Sequence, residues 1–302
     1  MEKQEEKNNL KSLIFQFDKY LEIVKGRSES TRKIYINRLK KFFEWFDKNK
    51  YQKIDKNIIW QFRIYLSEQK LNKRTQAHYL IVIRNFLKFL KRELNLDVMD
   101  FTQIELPKLP EREIKILNES ELEKLLNAPK GNDLKSLRDK AILELLFSTG
   151  LRVSELCSLN RDIEIDKGEI AIKGKGDKIR TVFLSERAKK ALKEYLQNRT
   201  DDHPALFISL ARNMEPKRLS VRAIQKIIKF YAIKVGIIKN VHPHVLRHQL
   251  ATFLISAGVN LRVVQEILGH KNISTTQVYT HISRPELKEI YEKIINKKLN
   301  YQ

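Results

Sequence analysis

The sequence predicts a mainly α-helical fold with a small β-sheet, divided into an N-terminal four-helix domain and a C-terminal mixed α/β domain. Three observations predict it. Apolar residues recur at three- and four-residue spacing through most of the 302 residues, the mark of helices with one buried face. One stretch, GEIAIKGKGDKIRTVFL, alternates instead, as strand, Gly-rich turn and strand. Between about 95 and 117 the periodicity fails, and NLDVMDFTQIELPKLPEREIK carries two prolines with alternating charge. The expected boundaries are a first domain over 1–105, a linker over 106–117 and a second domain over 118–302.

In the first domain the four apolar stripes are Leu10, Leu13, Ile14 and Phe17; Tyr35, Leu39, Phe42 and Phe43; Ile59, Phe62, Tyr65 and Leu66; and Leu80, Ile83, Leu87 and Leu90. Ser30, Asp55 and Asn72 stand where N-caps belong, because a short polar side chain can accept from an otherwise orphaned helix N–H. Short connections make these helices a small bundle. In the second domain Asn118 and Glu121 have capping-box spacing. Helices are expected over 133–148 and 152–159, then the hairpin, then a helix opened by Ser185. Further helices are expected over 220–235, 243–257 and 260–268, followed by a short one over about 274–281 and an amphipathic one at the end.

Lys and Arg number 59 against 37 Asp and Glu, a net charge of +22. The first hundred residues already hold 23 basic and 13 acidic side chains, so the field is spread over both domains. A folded surface with that field attracts polyanions, with nucleic acid the default partner and an anionic membrane surface the runner-up. The single cysteine, Cys157, excludes an internal disulfide framework and fits a reducing compartment. The charged opening MEKQEEKNN has no apolar stretch, and no apolar run approaches the ~18 residues of a spanning helix. The expected location is the cytoplasm.

Four segments of the second domain carry chemistry: TGLRVSEL with Arg152, the turn GKGDK with Lys175, HPHVLRH with His244 and Arg247, and LGHKNISTTQVYTH with His270 and Tyr279. Pro243 suits the first turn of a helix, and three-residue spacing then places His244 and Arg247 on one face. Leu246, Leu250, Phe253 and Leu254 form the stripe that docks this helix, so His244 and Arg247 are expected to face away from the core. Gly269 suits the residue just past a helix end. Ser274 can cap the next helix, where Val278 faces the core and Tyr279 points a quarter turn away. Each signal alone has a plainer reading: packing for a helical Tyr, a cap or surface group for His270, a surface charge for Arg152, a solvated hairpin tip for Lys175.

Together and in this order they are specific. The sequence resembles the tyrosine recombinase family, which includes Xer recombinases and phage integrases. Its pattern is Arg, Lys in a β-hairpin, His-x-x-Arg, His and Tyr, matched here by Arg152, Lys175, His244, Arg247, His270 and Tyr279. The strings TGLRVSEL, LRH, LGH and STTQVYTH resemble the Xer branch most. Gln249 departs from the pattern, standing where a small residue is common, and Phe183 stands where Pro is frequent.

The resemblance implies a core-binding domain over 1–105 and a catalytic domain over 118–302, closing on duplex DNA as a clamp. It implies phosphoryl transfer to Tyr279, giving a 3′-phosphotyrosyl link and a free 5′-hydroxyl. Arg152 and Arg247 suit the charge that builds on the phosphate oxygens, so the chemistry asks for neither metal nor cofactor. His244 is the expected general base for a phenol whose ordinary pKa is about 10. Lys175 is the expected general acid, with Lys178 the alternative, and His270 is expected to donate to the scissile phosphate. A metal site at His242, His244 and His248 lacks a carboxylate or Cys ligand nearby and is set aside.

The implied role is chromosome or plasmid dimer resolution, with integration or excision of a mobile element as the alternative. A type IB topoisomerase and a non-catalytic DNA-binding protein are the more distant rivals. The closing segment RPELKEIYEKIINKKLN spaces Leu287, Ile290, Tyr291, Ile294 and Leu299 as a stripe that must be buried somewhere. Packing on its own domain is the plain reading. The resemblance implies docking on a neighbouring protomer, within a tetramer on two DNA duplexes.

Overall fold

The computed structural model of the chain describes residues 2–109, 116–173, 179–210 and 215–269, and residues 288, 291, 292, 294 and 295 near the end. The chain divides into two compact units, Met1–Arg112 and Glu113–Gln302.

The first unit consists of four helices: α1 (Glu2–Ile23), α2 (Glu29–Lys48), α3 (Lys56–Glu68) and α4 (Lys73–Glu93). The apolar stripes read from the sequence converge on an aromatic core in which Phe17, Phe42, Phe62 and Phe86 are fully buried. Phe42 and Phe62 meet edge to face at 4.9 Å between ring centres, and Phe17 and Phe86 at 5.3 Å. These geometries suit the quadrupoles of aromatic rings and fix the crossing of the helices. Asp55 accepts from the Ile58 N–H at 2.8 Å and Asn72 from the Thr75 N–H at 2.7 Å, so both caps form. Ser30 is not a cap. α2 starts one residue earlier, behind Ser28, whose hydroxyl bonds the Thr31 hydroxyl at 3.0 Å rather than a helix N–H. Past α4 the chain still belongs to this unit: Ile104 is buried in its core, and Phe101 lies under the Arg92 guanidinium.

The second unit is built around α6 (Leu134–Thr149), whose C-terminal half is buried on every side. Its neighbours are α5 (Glu119–Leu126), α7 (Val153–Ser158), the hairpin β1 (Glu169–Lys173) and β2 (Ile179–Phe183), α8 (Glu186–Gln197), α9 (Val221–Lys234), α10 (Pro243–Ser256) and α11 (Leu261–Leu268). The two strands pair antiparallel, with Ile170 opposite Val182 and Ile172 opposite Arg180. Charges inside α6 are paired rather than stranded: Arg138 holds Asp139 at 2.7 Å, and Arg187 of α8 holds Glu144 at 2.8 Å. The Asn118–Glu121 capping box closes in both directions at 2.8 Å. Gln249, the departure from the family pattern, accepts from the buried Leu117 N–H at 3.0 Å and so ties α10 to the entry of this unit. No helix among the described residues is long and apolar enough to cross a membrane.

The end of the chain packs inside its own unit. Tyr291 and Ile295 are fully buried in the core that α6 organises. The Tyr291 hydroxyl donates to the Ser148 carbonyl at 2.6 Å and lies 2.8 Å from the Ser148 hydroxyl. At Tyr291 the stripe takes the plainer of its two readings, packing on its own unit, where the ring lies against Phe183 and the hydroxyl bonds Ser148. Residues 296–302 lie outside the described residues.

Candidate active site

Gly150 ends α6 in the left-handed conformation, at φ +58°, which turns the chain so that Arg152 becomes the residue at the N-terminus of α7. Only a glycine fits. A Cβ here would lie 2.6 Å from a Leu268 methyl and 3.0 Å from a Leu250 methyl. From this turn the Arg152 backbone N–H donates to Glu155 Oε2 at 2.8 Å, and its Nη1 donates to Glu155 Oε1 at 2.9 Å. The Arg152 side chain remains 39% exposed.

Arg247 sits one turn into α10 and is buried, which corrects the expectation that it faces away from the core. Nη1 donates to the Gly150 carbonyl and Nη2 to the Leu268 carbonyl, the latter at 2.5 Å. Both carbonyls lie at helix C-terminal ends, those of α6 and α11, where partial negative charge gathers. Periodicity alone could not show this, because α10 is buried around most of its circumference: Val245, Arg247 and Gln249 are covered along with Leu246 and Leu250. Burial, with the charges of Arg152 and Arg180 adding to it, pushes the Arg247 guanidinium down to about 10. It stays a cation at neutral pH.

Two residues that sequence reading passed over complete the cluster. Glu155 is buried and accepts four hydrogen bonds: the two from Arg152, and a fork from Arg180 with Nη1 to Oε1 and Nη2 to Oε2, both at 2.8 Å. Burial acts to raise its carboxyl, but the bonds from Arg180 and the Arg152 amide outweigh it and carry the group to about 2. The signal for Arg180 was present in the hairpin. Alternation puts it on the same strand face as Val182 and opposite Ile172, both buried, so a permanent charge points inward. For Glu155 the three-residue spacing from Arg152 was the signal.

Arg152, Arg180 and Arg247 thus surround one carboxylate, and the cluster carries an excess of positive charge. His244 is exposed in the first turn of α10, one turn before Arg247. Its ring centre lies 6.1 Å from that of His242. Among the described residues no group of three metal-ligating side chains gathers. Lys175, Lys178, His270 and Tyr279 lie outside the described residues. The structure brings Arg152 and Arg247 together at the junction of α6, α7, α10 and α11, and His244 precedes Arg247 by three residues on α10. A fixed cluster of guanidiniums at a helix N-terminus is chemistry for a phosphate group.

Comparison with known proteins agrees with this chemistry. The phage integrase family matches residues 115–286, and the phage integrase N-terminal SAM-like domain matches residues 14–94. The chain is 37% identical over 298 residues to tyrosine recombinase XerC of Thermodesulfovibrio yellowstonii, covering 94% of this chain and 96% of that one. It is 38% identical over 295 residues to tyrosine recombinase XerD of Oceanobacillus iheyensis, covering 94% and 98%. In fold it is similar to the XerH site-specific recombinase, solved as a post-cleavage complex with a palindromic difH substrate, at a TM-score of 0.67 and 24% identity over 95% of this chain and 82% of that one. Matched in both units and alike along almost its whole length, the chain belongs to the phage integrase family and is a tyrosine recombinase of the Xer type.

Proposed function

We propose that this recombinase binds a specific site in duplex DNA and cuts and rejoins it through Tyr279. The observation that carries the reading is the arginine cluster, in which Arg152 keeps an exposed guanidinium while Glu155 and the helix geometry hold it still. In this reading the Tyr279 hydroxyl oxygen attacks the scissile phosphorus and His244 takes the phenolic proton. The bond from phosphorus to the 5′-oxygen breaks, and Lys175 supplies the proton that this oxygen needs. Arg152 and Arg247 neutralise the charge on the non-bridging oxygens, and His270 donates to one of them. The phosphotyrosyl link conserves the energy of the broken bond, so attack by a 5′-hydroxyl reverses the step and joins strands without ATP.

The difH substrate bound by the XerH site-specific recombinase in its pre-cleavage complex supports a recombination site as the ligand, and the charge of +22 supports a grip on a duplex backbone. Both the unit matching the SAM-like domain and the catalytic unit are assigned to the grip on that duplex. Four protomers on two duplexes would carry out strand exchange, with resolution of chromosome or plasmid dimers as the cellular role. Capture and sequencing of genomic fragments covalently bound by the protein tests this. One site, or a small set sharing a sequence, is expected. Capture of fragments without a shared sequence, with relaxation of any supercoiled plasmid, would contradict it.

A further inference from the structure

We propose that Arg180 is a positioning residue for strand cleavage, acting through Glu155 on Arg152; the proposal rests on the cleavage reading above. Arg180 spends both terminal nitrogens on Glu155, one on each oxygen. Those two bonds fix the plane of the carboxylate. Glu155 can then offer Arg152 only a single side-chain contact, through Nη1, and one contact at the backbone amide. The other guanidinium nitrogens of Arg152 take no bond from the described residues, its side chain is part exposed, and in the cleavage reading those nitrogens meet the phosphate. Without Arg180, Glu155 is free to turn and take Arg152 in a fork of its own, drawing the guanidinium back from the ligand.

A second contact is independent of Glu155. The Arg180 stem lies against Gly269, where a Cβ would come within 2.5 Å of its Cδ and 2.9 Å of its Nε. One side chain on the strand that leaves the GKGDK turn therefore touches the start of α7, which carries Arg152, and the residue before His270. Three segments far apart in sequence, each bearing a residue assigned to the reaction, meet on this arginine. Lysine would keep the charge but lose the planar fork that holds Glu155.

The test compares R180K, R180M, E155Q and the double variant R180M/E155Q. The substrate is a genomic duplex captured by the native protein, nicked so that cleavage cannot reverse. Affinity is read by gel shift, the single-turnover rate by covalent adduct, and folding by thermal unfolding. R180K and R180M should bind with native affinity and cleave roughly 10- to 100-fold more slowly, the cost of a displaced contact. E155Q should lose a similar factor, and the double variant no more than either single one, because both act through one contact. If R180M unfolds, R180K decides. Native-like cleavage by R180K, affinity falling in step with rate, or losses that multiply in the double variant would each overturn the proposal alone. A native protein that forms no adduct on any genomic duplex would overturn the cleavage reading itself.

Discussion

Arg247 and Glu155 are opposite charges made tolerable inside the protein by the same device, hydrogen bonds to groups held in place by the fold. Arg247 is held by two helix ends and Glu155 by two arginines. A family pattern marks Arg152, His244 and Arg247 in the sequence, whereas Glu155 and Arg180 went unmarked because their importance comes from each other. No local spacing joins a residue of α7 to one of β2. The Glu155 carboxyl, carried from 4.5 to about 2, has a consequence for stability. A depressed carboxylate stabilises the fold fully above its unfolded value, near 4.5, and loses that contribution as pH falls toward 2. Glu155→Gln should therefore lower the stability of the catalytic unit by about 3 kcal/mol at pH 7, as for a broken buried pair. The gap should shrink between pH 4.5 and 2. Urea unfolding of both proteins at several pH values measures it, and a gap independent of pH would refute the charged role of Glu155.

At the scale of elements the sequence was most legible where caps and periodicity act locally. Asp55, Asn72, Asn118 and Ser185 all cap the helices expected of them, and the hairpin pairs with its two strands where alternation places them. It was least legible where an element is covered on several sides. α10 shows one apolar stripe in sequence, yet Arg247 and Gln249 are buried too, satisfied by carbonyls and an amide contributed from distant segments. The closing segment is the second instance: its apolar spacing said that it is buried but not against what. Tyr291 and Ile295 answer by filling the core of their own unit. Tyr291→Phe keeps the ring but removes the donor to the buried Ser148 carbonyl, so it should cost about 1–3 kcal/mol. Tyr291→Ala leaves a cavity and should cost about 3–5 kcal/mol. Deletion of residues 286–302 should destabilise the catalytic unit at least as much. Chemical denaturation decides, and a deletion from 286 that unfolds like the full chain would show that the tail is no part of this core.

For the molecule as a whole, charge and the proline-bearing break were the legible features. Basic residues occupy both units, and the chain divides at Arg112, inside the stretch where periodicity fails. A backbone grip shared by both units predicts a steep salt dependence, with log K against log salt falling by about 0.9 for each phosphate neutralised. Residues 1–112 and 113–302 expressed apart should each bind duplex DNA far more weakly than the intact chain, since linking turns the second contact into an intramolecular one. Fluorescence anisotropy over a salt series measures both, and a single fragment equal to the whole would contradict the shared grip. The central claim is narrower: strand cleavage proceeds through a covalent bond to Tyr279. The native protein is incubated with a nicked cognate duplex, the adduct is digested, and the nucleotide-bearing peptide is sequenced by mass spectrometry. The account predicts a 3′-phosphate on Tyr279 and, for Tyr279→Phe, no adduct with DNA binding retained. An adduct on any other residue, or one that persists in Tyr279→Phe, would contradict it.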